Sequence, residues 1–403
     1  MPFQTLATVI DDDTLHLRGV SALEIIAAEG RRYLIIAAEA DSALSSFEIM
    51  ADGSLVFQSE VLPDATSGTA SVAGLTVMGL ASGLFVVPAG RWDDDTGVFA
   101  FSTATGLMQA HSLSDPAGHF GNVLVSDHVQ AGGPGFLSAR QGVAGLDMYA
   151  VAADGALAYR SGVADTPTVP LGDVTALASA RFHGTDFLFA ASAFDAGVQV
   201  FEATAGGGLA AAGQSLRGDG LGYLYPSVLA TADVDGSALL LMGATGSDTI
   251  TVFRVGADGS LAAADQVADT LATRFGGIAT LQVAVVNGVT YVLAGGGDDG
   301  LTLFHLSRTG SLDPIDVLAD DFTTTLDNVS DTAVFVDGTT VHVLAGSASE
   351  NGVTHLTADL PYATATIDGP AGPAPPPDID PAAGVGGLHD EAPPDPGAGD
   401  FLF

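Results

Sequence analysis

Apolar and polar positions alternate along this chain in short runs, not in helical stripes. A small residue, an apolar one, a polar one, another apolar one and an aromatic lead into a turn with Gly and Leu. The cadence reads SALSSFEIMADGSL at 42–55, TGVFAFSTATGLM at 96–108, AGLDMYAVAADGAL at 144–157 and AGVQVFEATAGGGL at 196–209. It continues as DTITVFRVGADGSL at 248–261, DGLTLFHLSRTGSL at 299–312 and, in shortened form, NGVTHLTADL at 351–360. Alternation of this kind marks strands, and the turns mark hairpins. With Phe47, Phe101, Tyr149, Phe201, Phe253, Phe304 and His355 as landmarks, the repeat is about 51 residues, with intervals of 54 and 48 on either side of Phe101.

A second landmark keeps the same beat at Asp12, Asp64, Asp115, Asp165, Asp219, Asp269 and Asp320. Asp12 follows the apolar run FQTLATVI but has no motif before it, so the N-terminal strand supplies the last strand of the seventh unit. Closure of that kind removes exposed sheet edges. Each unit reads as four strands, with His183-Gly184, Asp235-Gly236, Asn287-Gly288 and Asp337-Gly338 turning between the first two. Seven such units predict an all-β, seven-bladed β-propeller with four antiparallel strands per blade, over residues 1–363. A parallel β-helix fits less well, because its coils are about half this length and lack hairpins. The landmark aromatics then pack blade against blade.

The cadence at 196–209 resembles the lactonase-type seven-bladed propellers, a superfamily with phosphogluconolactonases and muconate-lactone cyclases. It is more similar still to propellers at the N-terminal end of secreted bacterial calcium-binding proteins. The resemblance covers residues 3–363 and implies the fold, with a lactonase or cyclase activity, or calcium binding, as what such relatives do.

Composition narrows the functions. Asp and Glu number 48 against 11 basic residues, all Arg, for a formal net charge of −37. Nucleic-acid binding is excluded, because phosphate affinity comes from Lys and Arg. With no Cys, disulfides and thiol chemistry are excluded too. Residues 65–90 and 276–297 are uncharged, but their internal Gly, Pro and Asn-Gly read as paired strands, so no transmembrane segment is expected. The start MPFQTLATVIDDD lacks the basic and apolar regions of a signal peptide. Residues 364–403 form a Pro-rich linker and tail ending in Phe401-Leu402-Phe403. That tail reads as disordered, as a type I-like export address, or as a segment docking on a neighbour.

In a propeller, the loops before the first strand and between the second and third share one face around the channel. Here that face is strongly acidic. Asp11, Asp12, Asp13, Asp93, Asp94, Asp95, Asp298 and Asp299 are candidate calcium ligands, since clustered carboxylates suit hard cations. The alternative is that the repeated Asp caps its own loop through backbone N–H groups. His16, Arg18, His119, Arg217 and Arg274 fall in interblade loops on this face. They are the candidate catalytic set, as lactone hydrolysis needs a polarising cation and an acid or base. Trp92 is a candidate partner anchor beside the tail residues Phe401, Leu402 and Phe403. Two functions follow. One is a secreted or surface-exposed, non-enzymatic platform for a protein or glycan, or a subunit of an extracellular homo-oligomer or fibre built through its tail. The other is a lactonase- or cyclase-like hydrolase with a His/Arg site at the channel mouth.

Overall fold

The computed structural model describes residues 3–360, other than residues 13, 65, 130–134, 205–207, 218–220 and 322. Every regular element among them is a strand. The first, β1, is Phe3–Ile10. Blade 1 holds β2 (Val20–Ala28), β3 (Arg31–Ala38), β4 (Ala43–Ile49) and β5 (Leu55–Val61). Blade 2 holds β6 (Val72–Leu80), β7 (Gly83–Gly90), β8 (Thr96–Ser102) and β9 (Gly106–Leu113). Blade 3 holds β10 (Val123–Val129), β11 (Gly135–Arg140), β12 (Leu146–Val151) and β13 (Leu157–Val163). Blade 4 holds β14 (Val174–Phe182), β15 (Thr185–Ser192), β16 (Gly197–Ala203) and β17 (Leu209–Leu216). Blade 5 holds β18 (Pro226–Val234), β19 (Ser237–Ala244), β20 (Thr249–Val255) and β21 (Leu261–Ala268). Blade 6 holds β22 (Thr280–Val286), β23 (Val289–Gly295), β24 (Gly300–Leu306) and β25 (Leu312–Ala319). Blade 7 holds β26 (Val329–Asp337), β27 (Thr340–Ser347) and β28 (Gly352–Asp359), and takes β1 as its fourth strand.

All pairings are antiparallel, and each inner strand contacts the inner strands of both neighbouring blades, including β26 with β2. The ring is therefore closed as the N-terminal run predicts, with β1 registered on β28 from Phe3↔Ala358 to Ile10↔Gly352. Second and third strands are buried on both faces, which explains why runs such as Leu34–Ala38 are continuously apolar. Seven apolar clusters each join residues of two adjacent blades, so the core lies between blades. The two uncharged stretches contain the hairpins β6–β7 and β22–β23, and no helix among the described residues is long and apolar enough to cross a membrane. At His183-Gly184, Asp235-Gly236 and Asn287-Gly288 both turn residues have positive φ, the twist that a two-residue hairpin needs.

Two landmarks shift by one or two residues. A bulge in the outer pairing follows Ser46, Val98, Met148, Val200, Val252 and Leu303, so the repeated aromatic of blade 2 is Phe99, not Phe101. Phe99 and Phe101 lie two apart and share a face, which is why a pattern of aromatics cannot separate them. In blade 7 the same register places Leu356 at the landmark, because Leu356 pairs with Thr5 and His355 with Ala7 across the bulge. His355 therefore points to the opposite face of its strand. With Phe99 and Leu356 the repeat becomes regular, with intervals of 50–52 residues throughout.

Candidate functional site

The interblade loops enter the inner strands on one face, and the loops between second and third strands end there too. The repeated Asp anchors several of these loops. Asp165, Asp269 and Asp320 accept the backbone N–H of the residue six positions on, Leu171 (2.8 Å), Phe275 (3.1 Å) and Leu326 (2.9 Å). Each recipient is fully buried, so the carboxylate satisfies an amide that water cannot reach. In the first loop this role falls to Asp11, which holds Leu17 N–H at 2.9 Å; Asp12 instead caps its own turn through Thr14 and Leu15. Asp64 and Asp115 also cap locally, through Thr66 and His119, and Asp219 lies outside the described residues. Hydrogen bonds from Thr14, Thr66 and His119 hold Asp12, Asp64 and Asp115 below the ordinary carboxylate range.

Of the other calcium candidates, Asp93 accepts Ala70 N–H at 3.1 Å, and Asp94 is exposed beside Asp95. Asp298 faces Arg274 at 3.6 Å, and burial with the nearby Asp269 carboxylate pushes its carboxyl up. Asp299 shares a hydrogen bond with the Asp327 carboxyl, which is raised mainly by that contact. Asp13 lies outside the described residues. Among those described, no three His, Asp or Glu side chains converge as metal ligands would.

Among the described contacts, none joins any two of the catalytic candidates. His16 Nδ1 meets Glu60 at 2.9 Å, His119 Nδ1 meets Asp115 at 2.7 Å and stacks on Tyr159, and Arg274 lies beside Asp298. Arg18 and Arg217 are exposed, and their backbone N–H groups tie down loops on Asp41 and Ala196. These positions belong to four different interblade loops. The tail residues Phe401, Leu402 and Phe403 lie outside the described residues.

What the five do not line is the central cavity of about 750 Å³ between the inner strands. Arg91 and Glu39, at the ends of β7 and β3, stand at its mouth, with Arg91 Nη1 donating to Glu39 at 3.1 Å and Ser71 Oγ donating to the same oxygen at 2.7 Å. Deeper in, Asp331 ties three inner strands together, accepting Leu23 N–H (2.8 Å), Thr332 N–H (2.8 Å) and the Thr280 hydroxyl (3.2 Å). Glu24 also lines the cavity, and burial, then the Asp331 and Asp127 carboxylates, push its carboxyl up to about 8. Burial likewise raises Asp127 and Asp331 to about 6. The second residue of several inner strands is a hydroxyl that clasps the next blade. Ser21 donates to Val72 O (2.7 Å), Thr175 to Pro226 O (2.6 Å) and Ser227 to Ile278 O (3.0 Å). Its sequence signal is a Ser or Thr in step with the main repeat, at Ser21, Thr175, Ser227 and Ser330, one residue inside the strand.

Several apolar side chains stand out from the acidic face. Trp92 is 66% exposed, Phe194 81% and Tyr225 60%, and Leu271 is fully exposed. Tyr225 has φ of +51° at the residue before an inner strand, where the corresponding positions hold Gly19, Ser71, Asn122 and Asn328. Gly and Asn tolerate a left-handed backbone, whereas Ser71 and the bulkier Tyr225 are strained there.

Fold and site together define a seven-bladed β-propeller with a carboxylate-rich, aromatic-studded loop face around a central cavity. No protein-family model matches the chain, and no curated protein matches it. Solved structures do. A candidate 6-phosphogluconolactonase from Bacteroides fragilis is 16% identical with a TM-score of 0.59, covering 79% of this chain and 87% of its own. A second, from Bacteroides uniformis, is 15% identical with a TM-score of 0.58, over 75% and 85%. A functionally unknown protein from Desulfotomaculum acetoxidans is 12% identical with a TM-score of 0.56, over 78% and 92%. At such identities the likeness is one of fold.

Proposed function

We propose that this chain is a secreted or surface-exposed, non-enzymatic propeller that binds a protein or glycan on its acidic face. In this reading residues 364–403 serve export or docking. The observation that carries the reading is Tyr225, an exposed aromatic kept in a left-handed backbone where its counterparts hold Gly, Asn or Ser. Strain at an exposed side chain motivates a functional reading. Trp92, the sole Trp, shares the face and reports on it by fluorescence. An arginine-rich peptide and a neutral oligosaccharide serve as probes for the two partner classes. One of them should shift Trp92 emission, and Tyr225→Asn should weaken that binding about tenfold while stabilising the fold by about 1 kcal/mol. An emission unmoved by either probe, or binding indifferent to Tyr225→Asn, counts against the platform.

The second reading is a lactone hydrolase, favoured by the Arg91–Glu39 pair at the cavity mouth and by Glu24 poised near neutrality within it. Two structural neighbours carry 6-phosphogluconolactonase descriptions, which agrees with it. The site is then Arg91, Glu39 and Glu24, not the five interblade-loop residues. A panel of sugar and muconate lactones tests it. Turnover that falls about a hundredfold in Arg91→Ala, but is kept in Arg217→Ala, supports this site. Turnover indifferent to Arg91 removes it.

A further inference from the structure

We propose that the seam where blade 7 meets blade 1 is an acid-released latch, built from His342 and His355. His355 lies on β28 with no exposed surface, and its Nδ1 sits 2.7 Å from the carbonyl oxygen of Gly53, in the β4–β5 turn of blade 1. A carbonyl only accepts, so Nδ1 carries the proton and Nε2 of the neutral ring is a bare acceptor. His342 Nδ1, 3.0 Å away on β27, must then be the donor to it. One carbonyl therefore fixes the tautomers of both imidazoles. His342 in turn stacks on Phe335 at 4.4 Å, and the Arg32 guanidinium of blade 1 lies 4.6 Å from the same ring. Two cross-blade contacts thus hang on this pair.

No other interblade junction has a titratable group at this place. The positions equivalent to His355 hold Ser46, Val98, Met148, Val200, Val252 and Leu303, by the register of the outer bulge. The Gly53 turn closes tightly on the last blade, since a Cβ there would meet Leu6 of β1 at 2.4 Å. The charged groups around the pair are few. Arg32 of β3 and Asp337 at the end of β26 act on His342 with opposite sign. Asp52, in the turn of Gly53, is engaged by Ser54, Glu48 of β4 by Arg31, and His16 in the incoming loop by Glu60. β1 contributes no charge.

Protonation acts in two steps. The first proton goes to His342 Nε2; the hydrogen bonds survive, but a cation now shares the Phe335 ring with the Arg32 guanidinium. The second goes to His355 Nε2, which turns a donor–acceptor pair into two opposed donors and places a charge where water does not reach. Burial already holds both imidazoles below the ordinary histidine range, His342 with help from His355 and Arg32. A depressed folded-state pKa contributes stability that is complete above about 6.5 and is lost as pH falls below it, up to about tenfold for each unit of depression.

Hydrogen exchange on the full chain at pH 7 and pH 5, corrected for intrinsic rates, tests the latch. Protection of β1, β28 and the Gly53 turn should fall about tenfold or more in acid. The blade 1–blade 2 junction, with Ser46 at the equivalent place, serves as the internal reference and should hold. The double variant His342→Phe/His355→Leu should keep its seam protection at pH 5. Equal losses at both junctions, or a variant that responds like the parent, would overturn the latch. If the variant does not fold, labelled-histidine NMR of the parent decides. Nδ1-protonated His355 at pH 7, with loss of that tautomer as the seam opens, supports it. Both rings titrating near 6.5 with the seam still protected refutes it.

Discussion

Removal of residues 1–10 should abolish cooperative folding of the ring. β1 is the fourth strand of blade 7, paired along its length with β28, and its Phe3 packs with Leu326, Val343 and Leu356. Without it, β28 becomes an exposed edge, and almost every residue of that strand is buried in the closed ring. Loss of one buried aromatic costs about 3–5 kcal/mol, so loss of the whole strand is comparable to the entire stability of a typical domain. Chemical denaturation of the truncated chain should show a broad, early transition and concentration-dependent aggregation. A peptide FQTLATVI added in trans should restore a sharp one. A truncated chain that unfolds as cooperatively as the parent would mean that blades 1–6 stand without closure.

Glu24→Gln should stabilise the protein in alkali and leave it nearly unchanged in acid. Its carboxyl, raised to about 8 by burial beside Asp331 and Asp127, binds its proton more tightly in the folded chain than in the unfolded one. A raised folded-state pKa is a cost absent below the ordinary value and growing as pH climbs to the folded one. The window therefore runs from about 4.5 to about 8. A neutral Gln removes the cost, by about 1–3 kcal/mol at pH 8 after allowance for water in the channel. Urea midpoints at pH 5 and pH 8.5 measure it. A midpoint that rises equally at both, or falls at pH 8.5, contradicts an enclosed carboxyl. This pH dependence runs opposite to that of the histidine seam, so the ring should be most stable between the two.

The architecture was legible because a propeller repeats its whole pattern seven times, and each copy reinforces the others. Errors arose where a copy breaks the local rule. Blade 2 offers two aromatics on one face, Phe99 and Phe101, and the motif alone does not separate them, although the more even spacing belongs to Phe99. The third strand of blade 7, β28, has no aromatic, so the spacing points to His355 for the landmark that Leu356 occupies. In the first loop three successive Asp hide which one reaches Leu17; register assigns it to Asp11. The site was harder to read. Arg91 and Glu39 come from different blades and meet only when blade 2 packs on blade 1, so no local motif joins them. The interblade Arg and His were visible as rare charges of their kind, but rarity does not say which way a loop folds.

β1 also sets a timetable. Its partner β28 begins at Gly352, so β1 must wait until the blades between them have been made. At the usual pace of synthesis that wait is about 20–70 s. Throughout it FQTLATVI, which carries no charge, has no sheet to join. The strand that finally seals the molecule is thus the segment most in need of shelter while the molecule is being made.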